Sequence, residues 1–305
     1  MYIKSSICQS GGKSSDTGRL INEDGLMAFD VNQNGVLYKF IILMDGATGI
    51  GRSYEIEKGL TPAEWYVGFM MSEMKKSFSE EPTASFETVI ESSFSKVIDV
   101  IANYEKSNGI VLENYEKPSA TLSLLRNDGK ITDIYLLGDT ETIVSYNDGK
   151  VIRVDNPNQK AVGVLDGSVI ERMALLAQEQ KRNVVDMRCD PGIQSMLCEN
   201  RNMKNSDCEG GYWVCGTTLG VTKHGVNINF DNSKIDGIVL ASDGFSYSIL
   251  GLNENEVYNE IKKCGVLSLS KKIRDTEDND AGCNRFPRLK KSDDLTAVYI
   301  DYSDN

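Results

Sequence analysis

The sequence predicts an α/β sandwich, with sheets inside and helices outside. Three observations carry this. Apolar, β-branched runs recur along the chain, and amphipathic helix pairs stand between groups of them. The hydrophobic period switches between two residues and about 3.6 residues as one kind of run gives way to the other. The chain has 305 residues, 40% of them hydrophobic, with no internal repeat or low-complexity linker. One large core is within reach of that length, and a single domain over residues 1–305 is expected.

Val36–Met44 (VLYKFIILM) reads as a buried strand. Pro62–Glu80 reads as a helix carrying Trp65, Val67, Phe69, Met70 and Met74, and Thr61-Pro62 matches an N-cap followed by proline at the first helical position. Phe86–Glu105 is a second amphipathic helix, with Phe86, Val89, Ile90, Phe94, Val97, Ile98 and Ile101 on one face. Then the period changes. Ala120–Leu125, Ile131–Leu137 and Thr142–Tyr146 are strands, with hairpin turns at Asn127-Asp128-Gly129 and Asn147-Asp148-Gly149. Helices follow at Val169–Asn183 and Ile193–Met203, strands at Gly211–Cys215 and Gly237–Ala241, helices at Glu254–Cys264 and Leu267–Asp275, and a last strand at Ala297–Tyr302.

The net charge is -12 and the isoelectric point about 4.8. Nucleic-acid binding needs a basic footprint, so no nucleic-acid partner is expected. Seven cysteines, an odd number without a CxxC pair, argue against a disulfide framework or a zinc site and for a reducing compartment. The N-terminus lacks an apolar core of signal-peptide length, and no run reaches the roughly 18 apolar residues of a membrane span. The expectation is a soluble, cytoplasmic protein without a membrane partner, although export by a leaderless route would leave no mark in the sequence.

Several chemistries are excluded by what is missing. The single histidine, His224, sits in the polar stretch TKHG and reads as a solvated loop residue, so a Ser-His-Asp or Cys-His mechanism has no support. No GxxxxGK[ST] phosphate cradle occurs. Instead, acids stand at strand ends. Asp45 ends FIILM, Asp139 follows IYLLG, Asp243 follows GIVLAS, and Asp293-Asp294 precede LTAVYI. Carboxylate and carbonyl oxygens are the ligands of hard divalent cations. Acids gathered together repel one another unless a cation or a proton neutralises them. The competing reading is that Asp-Gly, which occurs at Asp24, Asp45, Asp128, Asp148, Asp166, Asp236 and Asp243, marks only tight turns. Context separates them. Positions 128 and 148 lie between polar residues, whereas 45 and 243 follow long apolar runs.

Taken in order, RLINED (19–24), MDGATG (44–49), SATLSLL…LLGDT (119–140), LASDGF (240–245) and SDDLTAVYI (292–300) resemble the motif series of the metal-dependent PPM, or type 2C, protein phosphatases. GGYWVCG (210–216) and PRLKKSDD (287–294) resemble the compact bacterial branch. The resemblance spans nearly the whole chain. It implies a four-layer α-β-β-α sandwich with two mainly antiparallel central sheets. It also implies hydrolysis of phosphoserine and phosphothreonine by a hydroxide bridging two Mg2+ or Mn2+ ions. By resemblance Asp45 bridges the two ions and Gly46 offers its carbonyl. Asp243 and Asp293 complete one shell. Glu23 serves the other, with Asp24 in support, and Asp139 holds a third, looser ion. Arg19 matches the phosphate-binding arginine. The partners implied are phosphorylated proteins made by a Ser/Thr kinase, met by a monomer. The alternative is a phosphatase-fold regulatory protein that binds phosphoproteins without turnover.

The chain departs from the pattern twice. Ala47 stands where many eukaryotic members carry a histidine proposed as general acid, so either a water or a better leaving group must serve. Asp294 stands where many members have asparagine, although aspartate is common there in bacterial relatives. Arg285, Arg288, Lys290 and Lys291 read as a solvated basic loop, or else as a guide for acidic phosphopeptides. Met70, Met71 and Met74 read as helix core, and Trp213 as a core or strand-edge anchor.

Overall fold

A computed structural model describes residues 1–13 and 18–303; residues 14–17 and 304–305 of the expected domain lie outside the described residues. Two strands open the chain, β1 (Tyr2–Gln9) and the short β2 (Gly12–Lys13), followed by β3 (Leu20–Ile21), β4 (Gly25–Gln33) and β5 (Val36–Ala47). The β4–β5 hairpin turns on Asn34 (φ 54°) and Gly35 (φ 80°), the left-handed pair that a two-residue turn between twisted strands requires. Helix α1 (Pro62–Glu80) begins in a capping box: Thr61 accepts from the Glu64 backbone, and the Glu64 carboxylate accepts from the Thr61 backbone. Helix α2 (Phe86–Asn108) is capped by Ser85 and stopped by Gly109 at φ 63°. Strands β6 (Ser119–Asn127), β7 (Ile131–Leu137), β8 (Glu141–Tyr146) and β9 (Val151–Arg153) follow. Then come α3 (Pro157–Gln180), a 3-10 turn over Val184–Cys189 and α4 (Pro191–Asn202). The chain finishes with β10 (Val226–Asp231), β11 (Ile235–Ala241), α5 (Glu254–Cys264), α6 (Val266–Asn279) and β12 (Leu295–Asp301).

One five-stranded sheet runs β1-β12-β11-β8-β9 and the other β10-β7-β6-β5-β4, with every neighbouring pair antiparallel. Strand β5 shows why FIILM is apolar on both faces. Phe40, Ile42 and Met44 pack with Met70, Met74, Phe78 and Phe94 of α1 and α2, while Ile41 and Leu43 meet Leu240, Val298 and Ile300 of the other sheet. On the far side, Val239 and Tyr299 pack with Val257, Ile261, Leu269 and Ile273 of α5 and α6. These are the four layers expected. The methionines of α1 are core, as expected. A separate small core, with Val169, Met173, Ile193 and Leu197, holds α3 against α4. No helix of the described residues is long and apolar enough to cross a membrane.

Two expectations are corrected. Gly211–Cys215 is not a strand; it makes only isolated bridges, Ala120 with Cys215 and Lys204 with Tyr212. Its apolar residues are spent on packing, not on a ladder. Helix α3 starts twelve residues before the expected Val169, at Pro157. Gly163 and the Asp166-Gly167 pair mimic a loop, but the helix runs through them, at about 1 kcal/mol per glycine relative to alanine. The edge strands β1, β4, β9 and β10 were not expected, because polar residues interrupt their apolar pattern.

Candidate active site

The antiparallel registers bring the acids together. Asp45 pairs across to Thr121, and Leu122 pairs to Leu137, so Asp139, two residues on, lies at the same end of that sheet. The short connection 138–140 then crosses directly into β8 of the other sheet. There Ala241 pairs with both Glu141 and Ala297, which sets Asp243 and Asp293 at that same end. Glu23 lies two residues before the opening of β4 at Gly25. A cavity of about 390 Å3 opens at this end, and Glu23, Asp45, Gly46, Asp139, Asp243 and Asp293 all line it.

Each acid is held by its surroundings. Asp45 Oδ2 accepts the Asp243 backbone N–H at 3.3 Å, a contact between the two sheets. The Glu23 carboxylate accepts from the Thr48 and Thr61 hydroxyls, the latter at 2.7 Å. Asp293 Oδ1 pairs with Lys290 Nζ at 2.6 Å. Asp294, beside it, is a clasp: its two oxygens accept the backbone N–H groups of Gly11 and Glu23, each at 2.7 Å. Asp24 turns inward to Ser242 Oγ at 2.8 Å and does not line the cavity, which suits a supporting place and not that of a direct ligand. Gly46 is required by a close approach, since a Cβ there would lie 2.3 Å from the Glu23 carbonyl oxygen.

Proton affinities follow from the crowding. Burial, and then the charge of Asp243, push Asp45 well above the ordinary carboxylate range. Burial and Asp293 do the same to Asp243. Burial raises Asp24 to about 7 against the hydrogen bond from Ser242. Asp139 rises to about 6 through burial and then Asp166. Burial works against the Lys290 ammonium, but Asp293 outweighs it and holds its pKa above the ordinary value. Such a group of carboxylates ionises together only when cations are added. The donors are carboxylate and carbonyl oxygens, the hard set that Mg2+ and Mn2+ select, so the residues fit these ions chemically. Among the described residues, no three His, Cys, Asp or Glu side chains stand as a ready-made metal shell.

Arg19 is the expected site residue that the structure does not bring in. Its guanidinium is paired bidentately with Glu64, Nη1 to Oε1 at 2.8 Å and Nη2 to Oε2 at 2.6 Å, and it does not line the cavity. His224 is not a solvated loop residue. Its ring stacks on Trp213, centroids 3.5 Å apart and planes at 5°, outside the cavity lining. Ala47 lines the cavity and brings no proton-carrying group. Of the basic run, Arg288 is spent on Asp280 at 2.8 Å and Lys291 on Asp278 at 2.7 Å, whereas Lys290 turns into the cavity.

Sequence reasoning missed the helical wall of the cavity. Asp166 of α3, Arg188 of the 3-10 turn and Arg201 of α4 line the cavity, along with Leu165, Leu197 and Tyr212. Apart from Tyr212, in GGYWVCG, none lies in a motif. Asp166-Gly167 had the look of one more turn.

The family model described as protein phosphatase 2C matches residues 12–276 of the chain. Among solved structures, a bacterial serine phosphatase is 16% identical with a TM-score of 0.55, over 99% of this chain and 98% of that one. The serine/threonine phosphatase Stp1 from Staphylococcus aureus is 16% identical with a TM-score of 0.53, over 99% and 95%. The catalytic domain of the serine threonine protein phosphatase PstP in complex with two manganese ions is 13% identical with a TM-score of 0.50, over 97% and 96%. No curated protein matches the chain.

Proposed function

The chain belongs to the protein phosphatase 2C family and is a serine/threonine protein phosphatase; from that premise we propose that it removes phosphate from phosphoserine and phosphothreonine with two Mg2+ or Mn2+ ions held by its strand-end acids. The observation that carries the proposal is the convergence of Glu23, Asp45, Asp139, Asp243 and Asp293 on one cavity from both sheets. Asp45 would serve both ions and Gly46 would offer its carbonyl; Asp243 and Asp293 would hold one ion and Glu23 the other, with Asp24 behind it, and Asp139 would help hold a third, looser one. When bound, the ions supply an activated water and neutralise charge on the phosphoryl oxygens.

The chain's own residues do the rest. Thr48 and Thr61 fix the direction of Glu23. Asp243 N–H fixes Asp45 across the gap between sheets. Lys290 pairs with Asp293 and adds positive charge beside the phosphoryl group. Ala47 donates nothing, so the departing serine or threonine oxygen takes its proton from water in the cavity. The substrates are phosphorylated proteins made by a Ser/Thr kinase, met by a monomer in the cytoplasm. The test is phosphate release from a phosphothreonine peptide with Mn2+, with Mg2+ and with chelator. Release that requires the metal supports the proposal. Tight phosphopeptide binding without any release, in protein shown to hold Mn2+, would overturn it.

A further inference from the structure

Lys290 stands apart from the rest of its basic run. Arg288 and Lys291 pair with Asp280 and Asp278, none of which lines the cavity. The Lys290 ammonium instead sits 2.6 Å from Asp293 Oδ1. That same oxygen accepts the Asp294 backbone N–H at 3.0 Å. The oxygen is thus engaged twice by this chain's own donors.

The fold aims this side chain. Arg188 Nη1 donates to the Leu289 carbonyl at 3.0 Å, Cys283 Sγ to the Lys290 carbonyl at 3.6 Å, and Arg274 Nη2 to the Asp293 carbonyl at 2.6 Å. The loop is therefore held by its backbone on both sides of the pair. The head remains in contact with water in the cavity, since 44% of the Lys290 side chain is exposed, and solvent screens the pair. Asp293, Asp243 and Asp166 attract the ammonium, and Arg188 repels it. On the proposed function, Asp243 and Asp293 hold the same ion. Lys290 thus faces that ion and not the one at Glu23. A carboxylate already shared with an ammonium is a poorer ligand, because an incoming cation must displace the ammonium or bear its repulsion.

We propose that Lys290 competes with the metal for Asp293, so that the ion at Asp243 and Asp293 is held more weakly than these carboxylates would hold it without the lysine. The inference rests on the metal-dependent reading of the site, but its readout is metal binding and not turnover. An ammonium displaced from Asp293 stays in the cavity that receives the phosphoryl group. One positioning residue thereby loosens a metal and adds attraction for phosphate.

The experiment is calorimetric titration of the full chain with Mn2+, comparing wild type with Lys290→Met, Lys290→Arg and Lys291→Met. Thermal unfolding with and without Mn2+ confirms folding. Methionine keeps the length of the stem and removes the charge. We expect Lys290→Met to tighten one class of Mn2+ site by about 3- to 10-fold, the scale of a solvent-screened pair, and to enlarge the rise in Tm that Mn2+ produces. Lys290→Arg keeps the charge and should stay within about twofold of wild type. Lys291→Met removes the same charge from a pair outside the cavity, and it should also stay within about twofold. Unchanged or weaker Mn2+ binding in folded Lys290→Met overturns the inference, and so does equal tightening in Lys291→Met. Should Lys290→Met fail to fold, Lys290→Gln carries the comparison. Wild type that binds Mn2+ and releases phosphate, beside a Lys290→Met variant of unchanged affinity, sinks this inference alone. If wild type takes up no Mn2+, binding in Lys290→Met still supports the inference, and binding in neither sinks it together with the reading it rests on.

Discussion

The floor and the wall of the cavity are built by different means. The floor is a set of carboxylates at the ends of β5, β7, β11 and β12, each fixed by sheet register and by short polar contacts. The wall is a set of side chains on α3, the 3-10 turn and α4, fixed by a small core of their own. In the floor, position along the strand decides what a residue can reach. In the wall, packing between helices decides it. One region can therefore be altered without the other, and metal binding and substrate binding should separate experimentally.

The sharpest break of that separation is Asp45→Asn. We expect loss of metal binding and a fall in activity of about a thousandfold or more, since the cations contribute several kcal/mol to the transition state. Manganese titration read by calorimetry, together with phosphate release, checks it. Unchanged turnover would return Asp45-Gly46 to the status of a turn. Ile193→Ala attacks only the wall. Ile193 is fully buried in the α3–α4 core, and its truncation should cost about 2–4 kcal/mol of that region's stability, seen as faster amide exchange there. KM should rise while manganese affinity holds. A parallel loss of manganese affinity would show that the two regions are one unit.

Gly46→Ala probes the floor by shape alone. A Cβ would press on the Glu23 carbonyl and, at 2.9 Å, on Val67, so we expect about 1–3 kcal/mol of destabilisation and weaker manganese binding. Equal stability and affinity in a thermal and metal titration would refute the close approach. The smallest effect concerns the foot of the wall. Lys204 is buried just beyond α4, with its ammonium on the Lys117 carbonyl at 3.0 Å. Burial holds its pKa well below the ordinary 10.5. Above that lowered value the unfolded chain binds the extra proton, so this residue's contribution to stability improves as pH rises toward 10.5. Lys204→Met should flatten that rise. Denaturant melts at several pH values check it, and an unchanged slope would show that the ammonium is not penalised.

The same contrast explains what the sequence discloses. Strand-end acids are legible because an apolar run with an abrupt carboxylate is visible in one dimension, and five such motifs in order identify the sandwich. Helices α1 and α5 are legible to the residue because their caps, Thr61-Pro62 and Asn253 with Glu256, are local. The partners of Arg19 are not legible, because Glu64 lies 45 positions away and its choice between phosphate and carboxylate is tertiary. Arg188 and Arg201 carry no local signature at all. Asp166-Gly167 misleads actively, since a helix supported by tertiary packing overrides the turn preference of the dipeptide.

The Asp294 clasp has a consequence for the making of the protein. Its two oxygens tie down Gly11 and Glu23 across separations of 283 and 271 residues. Strand β12, which follows it, fills the place between β1 and β11. A nascent chain that has left the ribosome only as far as β11 carries Glu23, Asp45 and Asp139 but lacks Asp243 and Asp293, while β1 waits without its ladder partner. On the proposed reading we expect a cut between α6 and β12, which removes Asp293 and Asp294 with the strand, to abolish phosphate release.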